Sequence, residues 1–119
     1  MRVQVRSRYI ADRSAPEKRR FFFAYHVTIR NEGDEPVQLV SRHWTITDGA
    51  GRTQEVRGPG VVGETPHLAP GESFEYTSAC PLTTELGAMQ GTYQMVTDEG
   101  EEFDAVVKRF TLACPNLLN

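Results

Sequence analysis

The sequence predicts an all-β chain, an immunoglobulin-like or fibronectin type III-like β-sandwich of two antiparallel sheets with seven to eight strands. Apolar and polar residues alternate with period two along most of the chain, and no stretch of ten residues carries a helical stripe. Clusters of Gly, Pro, Asn and Asp interrupt the alternation every ten to fifteen residues, the spacing of a sandwich built from short strands. The antibody disulfide pattern is absent, because Trp44 precedes both Cys80 and Cys114.

Arg2, Gln4, Arg6 and Arg8 alternate with Val3, Val5 and Ser7, so a first strand carries a basic row on one face, a common guard for an edge strand. Residues 12–17 read as a loop, since Pro16 removes a donor and Asp12 and Ser14 favour side-chain bonds to nearby backbone. In the long second strand Phe21, Phe23, Tyr25, Val27 and Ile29 share the core face, opposite Phe22, Ala24, His26, Thr28 and Arg30. The turn formers of residues 31–36 lead to a third strand over 37–47, where Trp44 shares a face with Val40, Arg42 and Ile46. Asp48-Gly49-Ala50-Gly51 then opens a hairpin into residues 53–57. Past a Gly-rich loop and a turn at Pro70-Gly71, the next strand places Phe74, Tyr76, Ser78 and Cys80 on one side, and the one after it Met89, Gly91, Tyr93 and Met95. Asp98-Glu99-Gly100 is a short hairpin turn in which Gly supplies a positive φ. In the last strand Phe103, Ala105 and Val107 hold one parity but Phe110 and Leu112 the other, which predicts a bulge near Lys108 or Arg109.

The 119 residues, 39% of them hydrophobic, read as a single domain that folds on its own core without disulfides or a structural metal. The longest unbroken apolar run is five residues, Phe21 to Tyr25, so no membrane span and no secretory h-region is visible. The expected setting is soluble and cytoplasmic. Residues 1–20 carry seven basic and two acidic side chains, a net +5, against −8 for the remaining 99. The simplest account is that the basic head lies on the acidic body; a basic patch meeting phosphate is the alternative. Because the basic residues alternate along a strand and its loop, no nucleic-acid partner is expected.

Gly58-Pro59-Gly60-Val61-Val62-Gly63 matches G-x-G-x-x-G, but a dinucleotide site needs a helix opening at its end, and Val61, Val62, Pro66 and Pro70 oppose one. What remains is either a set of tight reversals or a concavity of backbone amides that holds an anion beside Arg57. Arg42, two residues from Trp44 on one face, reads as a buried ion-pair partner or a cation stacked on the indole. His26, His43 and His67 lack metal-ligand spacing, and the two cysteines read as reduced, buried thiols. Asp98, Glu99, Glu101, Glu102 and Asp104 read as solvated hairpin charges, with Mg²⁺ or Co²⁺ sensing as the weaker alternative. No metal site, cofactor, nucleophile elbow or acid–base pair is indicated, so the chain is not expected to be an enzyme.

The runs Leu39 to Asp48, Glu55 to Pro66, Leu68 to Ser78, Gly87 to Tyr93 and Phe110 to Ala113 together resemble the ApaG family along essentially the whole chain. That resemblance implies the same sandwich and a single ApaG-type domain over residues 1–119. It also implies an indirect link to cobalt resistance and magnesium homeostasis. Related domains in eukaryotic F-box proteins and in a polymerase-delta-interacting protein imply protein binding, and the 58–63 loop has been suggested as a pyrophosphate site. The resulting expectation is a non-enzymatic adaptor for an unidentified protein partner, with Arg42, Trp44, Arg57, Gly58, Gly60, Gly63 and Glu64 as the recognition region. The alternative is a sensor of pyrophosphate, polyphosphate or a divalent cation. An exposed first or last strand could also pair two copies across a two-fold axis.

Overall fold

In the computed structural model, which describes residues 1–115, the alternating stretches form eight strands. These are β1 (Arg2–Tyr9), β2 (Phe21–Arg30), β3 (Val37–Asp48), β4 (Thr53–Pro59), β5 (His67–Leu68), β6 (Ser73–Leu82), β7 (Leu86–Thr97) and β8 (Glu102–Ala113). One sheet has the order β1-β2-β6 and the other β4-β3-β7-β8, with β5 beside the start of β3. All pairings are antiparallel, which bears out the predicted sandwich. Every predicted core residue of β2 is buried, and Phe23, Val27 and Ile29 meet Leu39, Tyr93 and Leu112 of the opposite sheet in a fully enclosed core. Each such side chain contributes about 1.5–3 kcal/mol through burial.

The crossover from β2 to β3 is tied by Asn31, a buried polar residue that sequence reading passed over as part of a turn. Its side-chain amide donates to the carbonyls of Glu35 (2.8 Å) and Leu68 (3.0 Å), and its Oδ1 accepts from the Gly33 amide (3.0 Å). The sandwich closes along one side only. There β1 lies against β8, and the Ser7 hydroxyl donates to the Thr111 carbonyl at 2.7 Å. On the other side β4 and β6 stand apart and a cleft opens between them.

Two strands carry bulges. On β8, Phe110 pairs with Met89 and Val107 with Gly91, so Lys108 and Arg109 together face Gln90, as the parity slip predicts. A second bulge is new: Leu39 pairs with Met95 and Ser41 with Gln94, leaving Val40 as the extra residue. This corrects the reading of β3. Val37 and Leu39 point inward before the bulge and Trp44 after it, while Val40 is exposed instead of sharing the Trp44 face.

The charge split is matched within the protein only in part. Of the basic residues in 1–20, Arg2 alone forms an ion pair among the described residues, with Glu32 at 3.8 Å. In the acidic hairpin, Asp98 is taken by His67 at 2.7 Å. The basic row lies on the outer face of the three-stranded sheet and the hairpin belongs to the other sheet, so the head does not fold onto the acidic turn.

Deleting Lys108 and Arg109 together would send Phe110 and Leu112 to the solvent face, because Phe110 would then directly follow the inward Val107, whereas loss of Lys108 alone would only close the bulge. The expected cost is roughly 3–6 kcal/mol for two side chains, a large share of a small domain's stability. Lys108→Ala should stay within about 0.5 kcal/mol. Urea unfolding of the two variants checks this, and equal stabilities would contradict the bulge's role.

Asp48 supplies a pH test. Its carboxylate accepts from the amides of Ala50 (2.9 Å) and Arg52 (3.0 Å) and from Arg52 Nε (3.0 Å). Desolvation pushes the carboxyl upward, but these bonds together outweigh it and hold it below its ordinary value. The stabilisation is therefore complete above the unfolded carboxylate pKa near about 4 and fades as pH falls through the lower folded value. Asp48→Asn should lose less stability than the native chain across that acid window, as measured by unfolding at stepped pH.

Candidate functional site

The bulge at Val40 turns Arg42 toward the sandwich interior, directly across β4 from Gly58. Among the described residues Arg42 is neither ion-paired nor stacked on the indole. Its Nη1 donates to the carbonyls of Pro59 (2.9 Å) and Gly60 (3.0 Å), so the guanidinium clamps the glycine loop from within. Gly58 is what admits it, because a Cβ there would lie 3.0 Å from both terminal nitrogens.

The loop itself is a tight reversal and no helix follows it. Val61 and Glu64 exchange both amide–carbonyl bonds, at 2.8 and 2.9 Å, around Val62 (φ 43°) and Gly63 (φ 81°). Two successive positive φ values are the pattern of a type I′ turn, and a β-branched residue at the first is unusual. Gly60, also at positive φ, donates its amide to the Val40 carbonyl. The amides of Gly60, Val61 and Glu64 are thus spent inside the protein, which leaves those of Val62 and Gly63 at the exposed tip. Arg57 points away from the loop and lies 3.8 Å from Glu55 on the outer face.

Trp44 is a core residue, 3% exposed, so it offers no direct surface contact. Its indole meets the rings of Tyr25, Tyr93 and Phe110 edge-on, with centroids 5.7–6.0 Å apart. Nε1 is buried without a hydrogen-bond partner among the described residues. Beside it, the hydroxyls of Tyr76 and Tyr93 bond to each other across the two sheets. The cleft between β4 and β6 has a volume of about 280 Å³ and is lined by Tyr25, Arg42, Trp44, Gln54, Ser78 and Cys80, with Ile46, Val56 and Met89 as apolar wall. Arg42 and Trp44 come together there; Arg57, Gly63 and Glu64 do not. Sequence reading missed Gln54 and Ser78, which carry no motif. Burial raises the Cys80 thiol to about 11, which keeps it protonated at neutral pH.

The three histidines each meet a carboxylate: His26 with Glu75 and His43 with Glu55, both at 2.9 Å, and His67 with Asp98 at 2.7 Å. Glu75 is held below its ordinary value by its bonds from His26 and Thr28. Among the described residues no group of three or more His, Cys, Asp or Glu side chains could hold a metal ion, the 98–104 hairpin included. No helix there is long and apolar enough to cross a membrane.

Comparison with known proteins adds identity. The family model described as the ApaG domain matches residues 11–97. A "Protein ApaG" from Rhodospirillum centenum is 59% identical over 116 residues, covering 98% of this chain and 89% of the relative. One from Pseudomonas aeruginosa is 56% identical over 117 residues, covering 98% and 93%. A crystal structure of an ApaA protein from Bordetella pertussis superposes with TM-score 0.94 at 53% identity, covering 96% of this chain and 93% of that one. A protein from Archaeoglobus fulgidus, at 10% identity and TM-score 0.57, shares the fold alone.

Replacing Arg42 by Met should release the loop without unfolding the sandwich. A bond from a charged donor contributes about 1.5–3 kcal/mol, so exchange of the Gly60, Val61 and Glu64 amides should accelerate about tenfold or more. Hydrogen exchange followed by NMR reads this directly, and unchanged protection at those amides would refute the clamp.

Proposed function

This chain belongs to the ApaG family, and from that premise we propose that it acts as a non-enzymatic binding module whose partner is a protein presenting an acidic, partly apolar segment. The observation that carries the reading is the outer face of the three-stranded sheet. Register places Arg8, Ala24 and Ala79 in one cross-strand row and Arg6, His26 and Thr77 in the next, with Phe22 beside Pro81. Ala24 and Ala79 give that face a low floor, and Arg13 lies over the Phe22 ring at 4.9 Å. Arg6, Arg8 and Arg13 are exposed and form no ion pair among the described residues.

Unpaired surface cations cost little in water, but they steer and orient a partner of opposite charge. The whole chain carries net charge −3, which repels an extended polyanion such as nucleic acid while a local basic face still attracts a short acidic segment. The surface therefore moves from the expected Trp44 region to β1, β2 and β6, because Trp44 is enclosed.

A photo-crosslinking residue at position 24, introduced in the native cell, should capture protein. Combining it with Arg8→Glu and Arg13→Glu should cut the yield about tenfold, or about 1.4 kcal/mol. The same crosslinker at Val106, exposed on the other sheet, is the control. Equal capture at both positions, insensitivity to charge reversal, or nucleic acid as the adduct would each sink the proposal.

A further inference from the structure

We propose that the cleft between β4 and β6 is a binding site for a small monocarboxylate, with the carboxylate on Arg42 and a short apolar body against Trp44, Ile46, Val56 and Met89. The site is separate from the outer face of the three-stranded sheet, so either reading can fail without the other.

Three observations converge on an anion. Arg42 is half-buried and forms no ion pair among the described residues, although a guanidinium withdrawn from water ordinarily has a carboxylate or phosphate beside it. Its two recorded bonds both use Nη1, so Nη2 and Nε keep donors in the forked geometry that suits a carboxylate. Finally, the residues lining the cleft include Gln54, Ser78 and Tyr25 but no Asp or Glu, so nothing on its walls repels negative charge.

Size and charge select the class. A volume of about 280 Å³ corresponds to roughly nine water molecules and so to a compact ligand. One arginine balances one negative charge, and the apolar wall favours a hydrocarbon body over a second phosphate. The glycine loop does not add to this site as a phosphate cradle, because three of its amides are bonded internally and its Pro59 and Gly60 carbonyls face Arg42.

The protein contains a single tryptophan, Trp44, so its own fluorescence reports on the cleft. Titration with sodium butyrate at constant ionic strength should shift the emission and saturate with a Kd of about 1 mM or tighter. In NMR the indole resonances of Trp44, which lines the cleft, should be perturbed over the same range. Gln54 is exposed, so Gln54→Glu leaves the core intact while placing a like charge at the mouth; it should weaken butyrate about fivefold. Arg42→Lys should also weaken it, losing the fork while keeping the charge. The proposal is overturned if 1-butanol binds as well as butyrate, if inorganic phosphate or pyrophosphate binds more tightly, or if butyrate gives no saturable change up to about 50 times the expected Kd.

Discussion

One extra residue, Val40, decides what the interior of this sandwich contains. Side chains on a strand alternate strictly, so a regular β3 that buried Val37 and Leu39 would go on to bury Ser41, His43 and Thr45. The bulge inverts the strand after two turns of alternation and sends Arg42, Trp44 and Ile46 inward. Trp44 then meets Tyr25 from one sheet and Tyr93 and Phe110 from the other, so the aromatic contacts that join the two layers begin with the bulge. Ser41, turned outward by the same residue, bonds to Gln94 across the outer face at 2.8 Å.

The glycine loop follows from Arg42. A guanidinium beneath β4 needs its cross-strand neighbour to lack a Cβ, which is Gly58, and carbonyls within reach, which the reversal at Gly60 provides. A run that reads as a phosphate cradle in sequence therefore works here with the opposite polarity. Its carbonyls point at a cation of the protein, and its amides are mostly consumed in closing the turn. G-x-G-x-x-G records only that the backbone must come close to something or adopt positive φ; it does not say whether N–H or C=O faces the neighbour.

This separates what could be read from the chain from what could not. Strand positions and the β2 core face were legible because alternation is a local property with a single period. The bulge at Lys108 and Arg109 was legible for the same reason, since Val107 and Phe110 occupy incompatible parities. The bulge at Val40 left the same mark, Val37 and Leu39 against Trp44 and Ile46, but Val40 is itself apolar and completes an even-numbered series that hides the slip. The partners of Arg42 lie 17 and 18 residues away through a hairpin whose twist and bulge fix their approach, and no spacing rule encodes that. The charge split was visible as arithmetic, yet arithmetic has no geometry. The basic row of β1 and the acidic hairpin between β7 and β8 end up on different sheets.

The two edges of the sandwich are managed differently, and this ties the fold to binding. Along β1 and β8 the layers touch and a side-chain bond links them. Along β4 and β6 they splay around Arg42, turned inward from β3, with the Trp44 ring as part of the wall. Closing that side in the same way would bury an unpaired guanidinium, a cost that several apolar contacts would be needed to offset. The open side keeps Arg42 partly hydrated, so the cleft is the structural consequence of having turned a cation inward. Strand β6 then borders both regions: Ser78 and Cys80 face the cleft, while Thr77 lies on the outer face with the arginines of β1. A sandwich that had buried Ser41 and His43 in place of Arg42 and Trp44 would have lacked the clamp on the loop and the reason for its open edge.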